Sequence, residues 1–397
     1  MSQEDARSSG GRPPRDRHND YTREIAEKRR EFAREKTGVA LEHVGSYSFD
    51  PAMLPGNIEA FTGVAQVPIG LAGPLLICGE HAVGEFYVPL ATTEGTLVAS
   101  YNRGMVVLAE CGGAKTTVVS HSMQRAPVFI FEDALCARAF GEWVEAQFED
   151  IKAAAGATTK TGELQNIGQY AVGPLLYLRF NYTTGDAAGQ NMTGKATYAA
   201  CEWICKAYPG STRYILSGGI DTDKKHSQIN TLLTRGKRVI AEAVLRRDVL
   251  KTRLGVTPEQ LLHYRNIGQV GSFMAGSAYN GAHAANGLAA LFIATGQDVA
   301  NVAESHAGVT YTRILENGDY YWSTTLPSLI VGSYGGGTGL ATQKECLDLI
   351  GCYGAGKADK LAEICAAVVL AGDISLTGAI LAGDWVSAHD KYGRNRP

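Results

Sequence analysis

The chain has 397 residues, 45% apolar and 19% charged, with 37 basic against 40 acidic side chains and a formal charge of −3. That length allows roughly two to three domains with a substantial core, and the low charge fraction excludes general disorder. With no clustered basic surplus to neutralise phosphates, a nucleic-acid binder is excluded too. Glycine, at 47 residues, exceeds the usual ~7% without a Gly-X-Y period, so these glycines belong to tight turns and to backbone that approaches a ligand. Eight cysteines lie mostly in apolar or helical-looking runs, with no CxxC pair and no signal peptide before them, which reads as a reduced, cytoplasmic protein. Cys201 and Cys205 share a helix face, but no nearby His or Cys completes a shell; core packing is the reading, and no metal is expected. No run of 18 apolar residues is expected, and the uncharged stretch 266–297 is broken by polar residues, so no membrane span is predicted.

Taken in chain order, residues 1–19 read as a disordered tail and 20–56 as an N-terminal helical region, since half of the first 36 residues are charged. Mixed acids and bases from Tyr21 to Lys36 predict a solvated helix. Glu94, in VPLATTEGTLVASYNRG, sits among apolar neighbours; desolvation there would raise its pKa toward that of a proton donor, although an ordinary acid at a helix start fits equally well. From 126 to 217 the hydrophobic period switches in the order β-α-β-β-α-β, the ferredoxin-like split unit. The flanks, 57–125 and 218–397, must then form one larger, mainly helical domain around that insertion, giving an α+β fold. In the second flank GKRVIAEAVLRRDVLKTRL reads as a helix with an apolar stripe. Thr257-Pro258-Glu259-Gln260 reads as a capping box with Pro at the first helical position.

Other polar clusters are ambiguous when taken singly. Asp223-Lys224-Lys225 follows a strand that ends in Gly218-Gly219; a lysine there can stabilise an oxyanion, but a solvated turn is the commoner case. Asp298, after a Gly-Gln turn, could couple to a lysine or merely cap a helix. The segments Gly185–Met192 and Gly335–Thr338 fit neither a dinucleotide fingerprint nor a P-loop, though backbone N–H groups at the triple glycine could hold an anion. His389, near the end of the sequence, is incidental by itself, or an acid that arrives after substrate binds.

Together, ATTEG (91–95), DAAGQNM (186–192), TDKK (222–225), GQD (296–298), GGGT (335–338) and SAH (387–389) stand in the order seen in 3-hydroxy-3-methylglutaryl-coenzyme A reductases. Over about residues 56–394 the chain resembles that family, in a soluble, class I-like form. The resemblance implies a small NADP-binding domain of ferredoxin-like fold at 126–217 inserted in a large substrate-binding domain. It implies reduction of the thioester to mevalonate and free coenzyme A with two NADPH, no metal, and a homodimer or tetramer whose active sites lie at the subunit interface. Lys224 would hold the carbonyl oxygen as it becomes anionic, Asp298 would keep that lysine charged, and Glu94 would supply a proton. His389 would protonate the departing thiolate.

By the same resemblance, Arg125, Ser217, Asp223 and Lys225 would hold the acyl carboxylate and hydroxyl, with His283 and Asn286 at the reaction centre. Ser100, Asn102, Arg103 and Lys251 would contact coenzyme A. Asp186, Gly189, Asn191 and Met192 would form the nicotinamide loop, and Gly336 and Thr338 the glycine-rich cofactor segment. Thr159-Lys160 would favour NADPH through the 2′-phosphate. Three positions depart from the family pattern: Gly56-Asn57-Ile58-Glu59 replaces a dimerisation segment, Arg265 stands where a lysine reaches substrate, and Asn395 replaces a regulatory serine. Two other readings compete: mevalonate oxidation with NAD, which Lys160 opposes, and a non-catalytic acyl-coenzyme A binder, which the full acid-base set opposes.

Overall fold

The computed structural model describes residues 12–159 and 161–383, so Lys160 and His389 lie outside it. Helix α1 (Arg23–Thr37) begins where the Thr22 side chain accepts from the Ile25 N–H and ends at Gly38 in the left-handed conformation. It is not solvated all round. Ile25, Ala26 and Arg29 are buried, and Ala26 packs with Leu54 and Phe61. The Arg29 guanidinium donates to the carbonyls of Pro14 and Phe61, both at 2.9 Å, and pairs with Asp20. The end of the expected tail is thereby fastened to the helix. Charge density alone does not reveal an arginine that carries its acceptors inside with it.

Strands β1 (Ile69–Cys78) and β2 (Val83–Ala91) form a two-stranded antiparallel sheet, followed by α2 (Leu97–Glu110). Next come β3 (Lys115–Arg125), β4 (Val128–Ile130), α3 (Ala134–Ala146), α4 (Phe148–Gly156), β5 (Glu163–Val172), β6 (Leu175–Thr183), α5 (Gln190–Ala207) and β7 (Arg213–Ile215). The single helix expected after β4 is two, broken at Gln147. In the sheet β6 lies between β5 and β4, and β7 pairs β4, every pairing antiparallel. Phe129, Phe140, Leu178, Phe180 and Ile204 pack between this sheet and its helices as a separate core, which also takes in Cys201.

The remainder runs α6 (Gln228–Leu233), β8 (Gly236–Leu245), α7 (Arg247–Val249) leading into a π-helical turn at 250–254, α8 (Pro258–Ala275), α9 (Ala284–Thr295), α10 (Val302–Ser305), β9 (Val309–Ile314), β10 (Tyr320–Leu329), α11 (Ala341–Leu349) and α12 (Ala358–Ala382). The order β3-β8-β10-β9 continues the sheet, because the end of β3 also pairs with β6. Two expectations are corrected here: the large part is mixed rather than mainly helical, and 236–245 is a strand. In that strand Val239, Ala241, Ala243 and Leu245 alternate into the core, the period of two that a half-buried strand requires. Its continuation from 247 to 254 is helical, and reading both as one run hid the change of period. The capping box is present: the Thr257 hydroxyl accepts from the Gln260 N–H at 3.3 Å, and Gln260 Oε1 from the Thr257 N–H at 2.9 Å.

Helix α12 has no unbroken run of 18 apolar residues, since Glu363 and Asp373 interrupt it, but by length and mean hydropathy it could cross a membrane; 83% of its most apolar window is buried inside the protein. It packs so closely on α2 that a Cβ on Gly104 would lie 1.9 Å from the Ala371 carbonyl oxygen. Two of its acids are wholly buried and held by backbone from distant segments. Glu363 accepts from the N–H groups of Glu80, His81 and Ala82 at the β1–β2 turn, at 2.7–3.2 Å. Asp373 accepts from the N–H groups of Ala282 and His283, at 2.9 and 2.8 Å, and from the Tyr279 hydroxyl. Such charge-assisted bonds offset the desolvation cost, though burial still pushes the Asp373 carboxyl up.

Candidate active site

The segment 217–225 carries three of the charged candidates, Asp223, Lys224 and Lys225. Thr222 and Lys224 both have φ of 56°, in the left-handed region that non-glycine residues adopt at a cost. Two bonds hold them there: Asn230 Nδ2 donates to the Thr222 hydroxyl at 2.7 Å, and the Lys224 N–H to Glu304 Oε1 at 3.0 Å. Lys224 Nζ then lies 2.8 Å from Asp298 Oδ2, each side chain about two-fifths exposed. The bond to Asp298 raises the lysine's pKa, so it stays cationic. Asp298 also accepts from the Ala300 N–H at 3.1 Å, so it caps a turn and holds the lysine at once.

Beneath lies a chain of charges. Glu304, 1% exposed, accepts from Arg235 Nη1 at 2.6 Å; Arg235 Nη2 reaches Asp223 Oδ1 at 2.9 Å. Burial pushes the Glu304 carboxyl up to about 7, against the pull of Arg235. Arg125 pairs with Asp221 at 3.1 Å and approaches Asp223 at 3.8 Å, and the Ser217 hydroxyl donates to Asp221 at 2.8 Å. Lys225 Nζ donates to the Asp223 carbonyl at 3.0 Å. Arg125, Ser217, Asp223, Lys224 and Lys225 are thus brought together. Asp221, Asn230, Arg235 and Glu304 were not singled out in the sequence, where only a charge inside an apolar surrounding could have marked them.

Glu94 stands apart on a different wall. It is exposed rather than desolvated, because the Thr92 hydroxyl accepts from its N–H at 3.0 Å and turns it outward between β2 and α2. The apolar neighbours Val88, Leu90 and Leu97 go into the core without it. Glu94 Oε2 accepts from Asn286 Nδ2 at 2.8 Å, over a 480 Å³ cleft lined by Leu97, Ala285 and Ala289. His283 is buried beside it, stacked on Tyr101 at 4.7 Å, and burial lowers its pKa. Arg265 is buried, and its guanidinium is turned to the carbonyls of Asn280 and Thr310. On α2, Ser100 and Arg103 bond to Ser375, and Asn102 Oδ1 accepts from the Gly73 N–H. Lys251 is exposed on the 250–254 turn.

The third group converges around the start of α5. Thr159 Oγ1 accepts from the Gly162 N–H at 3.0 Å, and the Thr161 hydroxyl lies 3.8 Å from Met192 Sδ, placing this loop against the helix. Gly189 opens α5 in the left-handed conformation with no side-chain cap, next to exposed Asn191. Asp186 turns to the start of α12, accepting from the N–H groups of Gly356, Lys357 and Ala358 at 2.8–3.2 Å. The Ser333 N–H donates to the Asp186 carbonyl, and Gln297 bridges both backbone groups of Gly332. Gly336, at φ 57°, and buried Thr338 form the following turn, where a Cβ on Gly337 would lie 2.7 Å from the Gly296 carbonyl oxygen.

A family described as hydroxymethylglutaryl-coenzyme A reductase matches residues 25–394. The chain belongs to this reductase family. It is 44% identical over 376 residues to the 3-hydroxy-3-methylglutaryl-coenzyme A reductase of Pyrococcus abyssi, covering 92% of each chain. To the reductase of Aeropyrum pernix it is 45% identical, over 94% of this chain and 90% of that one. The class II reductase of Streptococcus pneumoniae, solved bound to NADPH in open conformations, shares the fold with a TM-score of 0.67 at 19% identity, covering 89% of this chain and 97% of that one. The six motifs that carried the resemblance all lie within the span matched to the reductase family.

Proposed function

We propose that this protein reduces (S)-3-hydroxy-3-methylglutaryl-coenzyme A to mevalonate and free coenzyme A with two NADPH, in isoprenoid biosynthesis. Family membership supports the reaction, and the 2.8 Å pair of Lys224 with Asp298 carries the assignment of its centre. A lysine kept cationic and still half-open can donate to a carbonyl oxygen as negative charge develops on it. Glu94 supplies a proton at the carbonyl, and His389 protonates the departing thiolate; the alkoxide and the thiolate form at different times and need separate acids. Arg125, Ser217, Asp223 and Lys225 hold the acyl end, with His283 and Asn286 beside it. Ser100, Asn102, Arg103 and Lys251 serve coenzyme A.

Residues 126–217 act as the ferredoxin-like cofactor domain, a reading supported by their separate core and by the strand order β5-β6-β4-β7, second-third-first-fourth. The residues fit a nicotinamide dinucleotide: the uncapped start of α5 leaves N–H donors for a phosphate, beside the Thr159 loop. When bound, the cofactor supplies hydride. Lys160 pairs with its 2′-phosphate, Asn191 and Met192 face the nicotinamide, and Gly336 and Thr338 line its approach. The open Glu94 rim supports a homodimer or tetramer with the site at the subunit interface, and the free cysteines support a cytoplasmic setting.

The test is the loss of absorbance at the nicotinamide band with hydroxymethylglutaryl-coenzyme A and either cofactor. Two NADPH consumed per thiol released, and a higher kcat/KM with NADPH than with NADH, are expected. No thioester-dependent oxidation of either cofactor would overturn the reading.

A further inference from the structure

Behind the DAAGQNM loop a line of polar side chains runs from α12 back to the loop. His121 and Lys237 are direct cross-strand partners on β3 and β8, so their side chains emerge on one face side by side. Lys237, 2% exposed, is held by Asp359 Oδ1 at 2.6 Å, and its Nζ lies 3.5 Å from His121 Nδ1. On the other side of the ring, His121 Nε2 lies 2.9 Å from the Thr184 hydroxyl oxygen. Thr184, 1% exposed, donates its one proton to the Ala187 carbonyl at 2.8 Å.

The proton count fixes the ring. Because the Thr184 proton is committed to a carbonyl, which only accepts, its oxygen must accept from His121, and Nε2 must carry hydrogen. An ammonium has no lone pair, so Nδ1 must be the bare nitrogen facing Lys237. Every bond then points one way: Lys237 to His121, His121 to Thr184, Thr184 to Ala187. Burial, then the Lys237 charge, push the histidine down to about 4, which agrees with a neutral ring. Asp359 and Asp186 approach from α12 and the loop. The loop is therefore tied to the start of α12 twice, directly by the Asp186 carboxylate and indirectly through Asp359, Lys237, His121 and Thr184.

We propose that His121 is a positioning residue for the nicotinamide loop, setting residues 185–192 through a one-way hydrogen-bond line to Thr184. This rests on the reading of that loop as the cofactor's. A lost line leaves the loop held by the Asp186 carboxylate and by Gln190, whose Nε2 donates to Asp223 and Asn301 at 3.0 and 2.9 Å; the tie to Asp223 on the acyl side is kept, so binding of the nicotinamide suffers while the acyl-coenzyme A half does not.

The experiment titrates NADPH by its fluorescence, and measures both KM values, for the full-length protein and four variants. His121→Leu and Thr184→Val should each weaken NADPH binding about tenfold, the scale of one buried hydrogen bond lost, with KM for the thioester within about twofold. His121→Gln, which keeps a donor toward Thr184, should stay near wild type. The double variant should be no worse than either single one. Thr184→Val removes only a hydroxyl, so it carries the test if His121→Leu does not fold. Unchanged NADPH binding, equal loss for both substrates, a glutamine variant as poor as leucine, or multiplied defects in the double variant would overturn the proposal. Wild-type protein that fails to bind NADPH at all would instead overturn the functional reading beneath it.

Discussion

On the Lys224 wall two of the charges stand on buried ones: Lys224 on the Glu304 carboxylate through its N–H, and Asp223 on Arg235. On the Glu94 wall the carboxylate is held by one side-chain bond from Asn286 and a turn around Thr92. The first wall is costly to build and rigid once built, since its left-handed residues persist only where surroundings over-determine them. The second is cheap and adjustable. A residue that must present a fixed cation to a developing charge gains from the first arrangement, and one that must give up a proton gains from the second.

The sharpest way to break this contrast is Arg235→Met, which takes the guanidinium from Glu304 and leaves Asp223 with the longer Arg125 contact at 3.8 Å. It should destabilise the fold by about 3–5 kcal/mol, the cost of orphaning a buried charge, read as a fall in the thermal midpoint. Next, Lys224→Ala should leave the midpoint within about 1 kcal/mol but reduce turnover of both thioester and mevaldehyde by about 10²–10³, because both steps lose the same donor. Robust mevaldehyde reduction would remove that role.

A pH test sharpens the contrast. Glu304 has its folded value raised from 4.5 to about 7, so between those values the folded protein keeps a proton that the unfolded chain has released. Stability from this group therefore falls as pH rises through that window. Glu304→Gln does not titrate, so the variant should gain on wild type by up to about 3 kcal/mol between pH 4.5 and 7.5, seen as converging or crossing thermal midpoints. Smallest of all, Asn286→Ala should cost about 1 kcal/mol in kcat/KM and nothing measurable in stability, since the Glu94 wall carries no load. A large loss of stability would mean the two walls are built alike.

The motifs at the site were legible because each is contiguous in the chain: ATTEG, TDKK and GQD announce Glu94, Lys224 and Asp298 within a few residues. Their supports were not, because Arg235 meets Glu304 across 69 residues and neither stands in a distinctive run. The element order from 126 to 217 was readable from periods that change at turn residues, whereas β8 was hidden by running directly into a helical segment that shares its apolar residues. Glu94's exposure followed from a local turn that overrides the polarity of its neighbours, and Arg29's burial from acceptors supplied by Pro14 and Phe61.

Helix α12 has one more consequence, for the order in which the molecule is made. Its Glu363 fastens a turn synthesised 281 residues earlier, and its Asp373 one about 90 residues earlier. On the ribosome the residues of the core from Phe129 to Ile204 are all made before α12 begins. The surrounding layers cannot be completed then, because the rod that fills their centre is still untranslated, and contacts of such long span close slowly. The nascent chain must therefore hold the β1–β2 turn and the start of α9 uncapped until a late arrival.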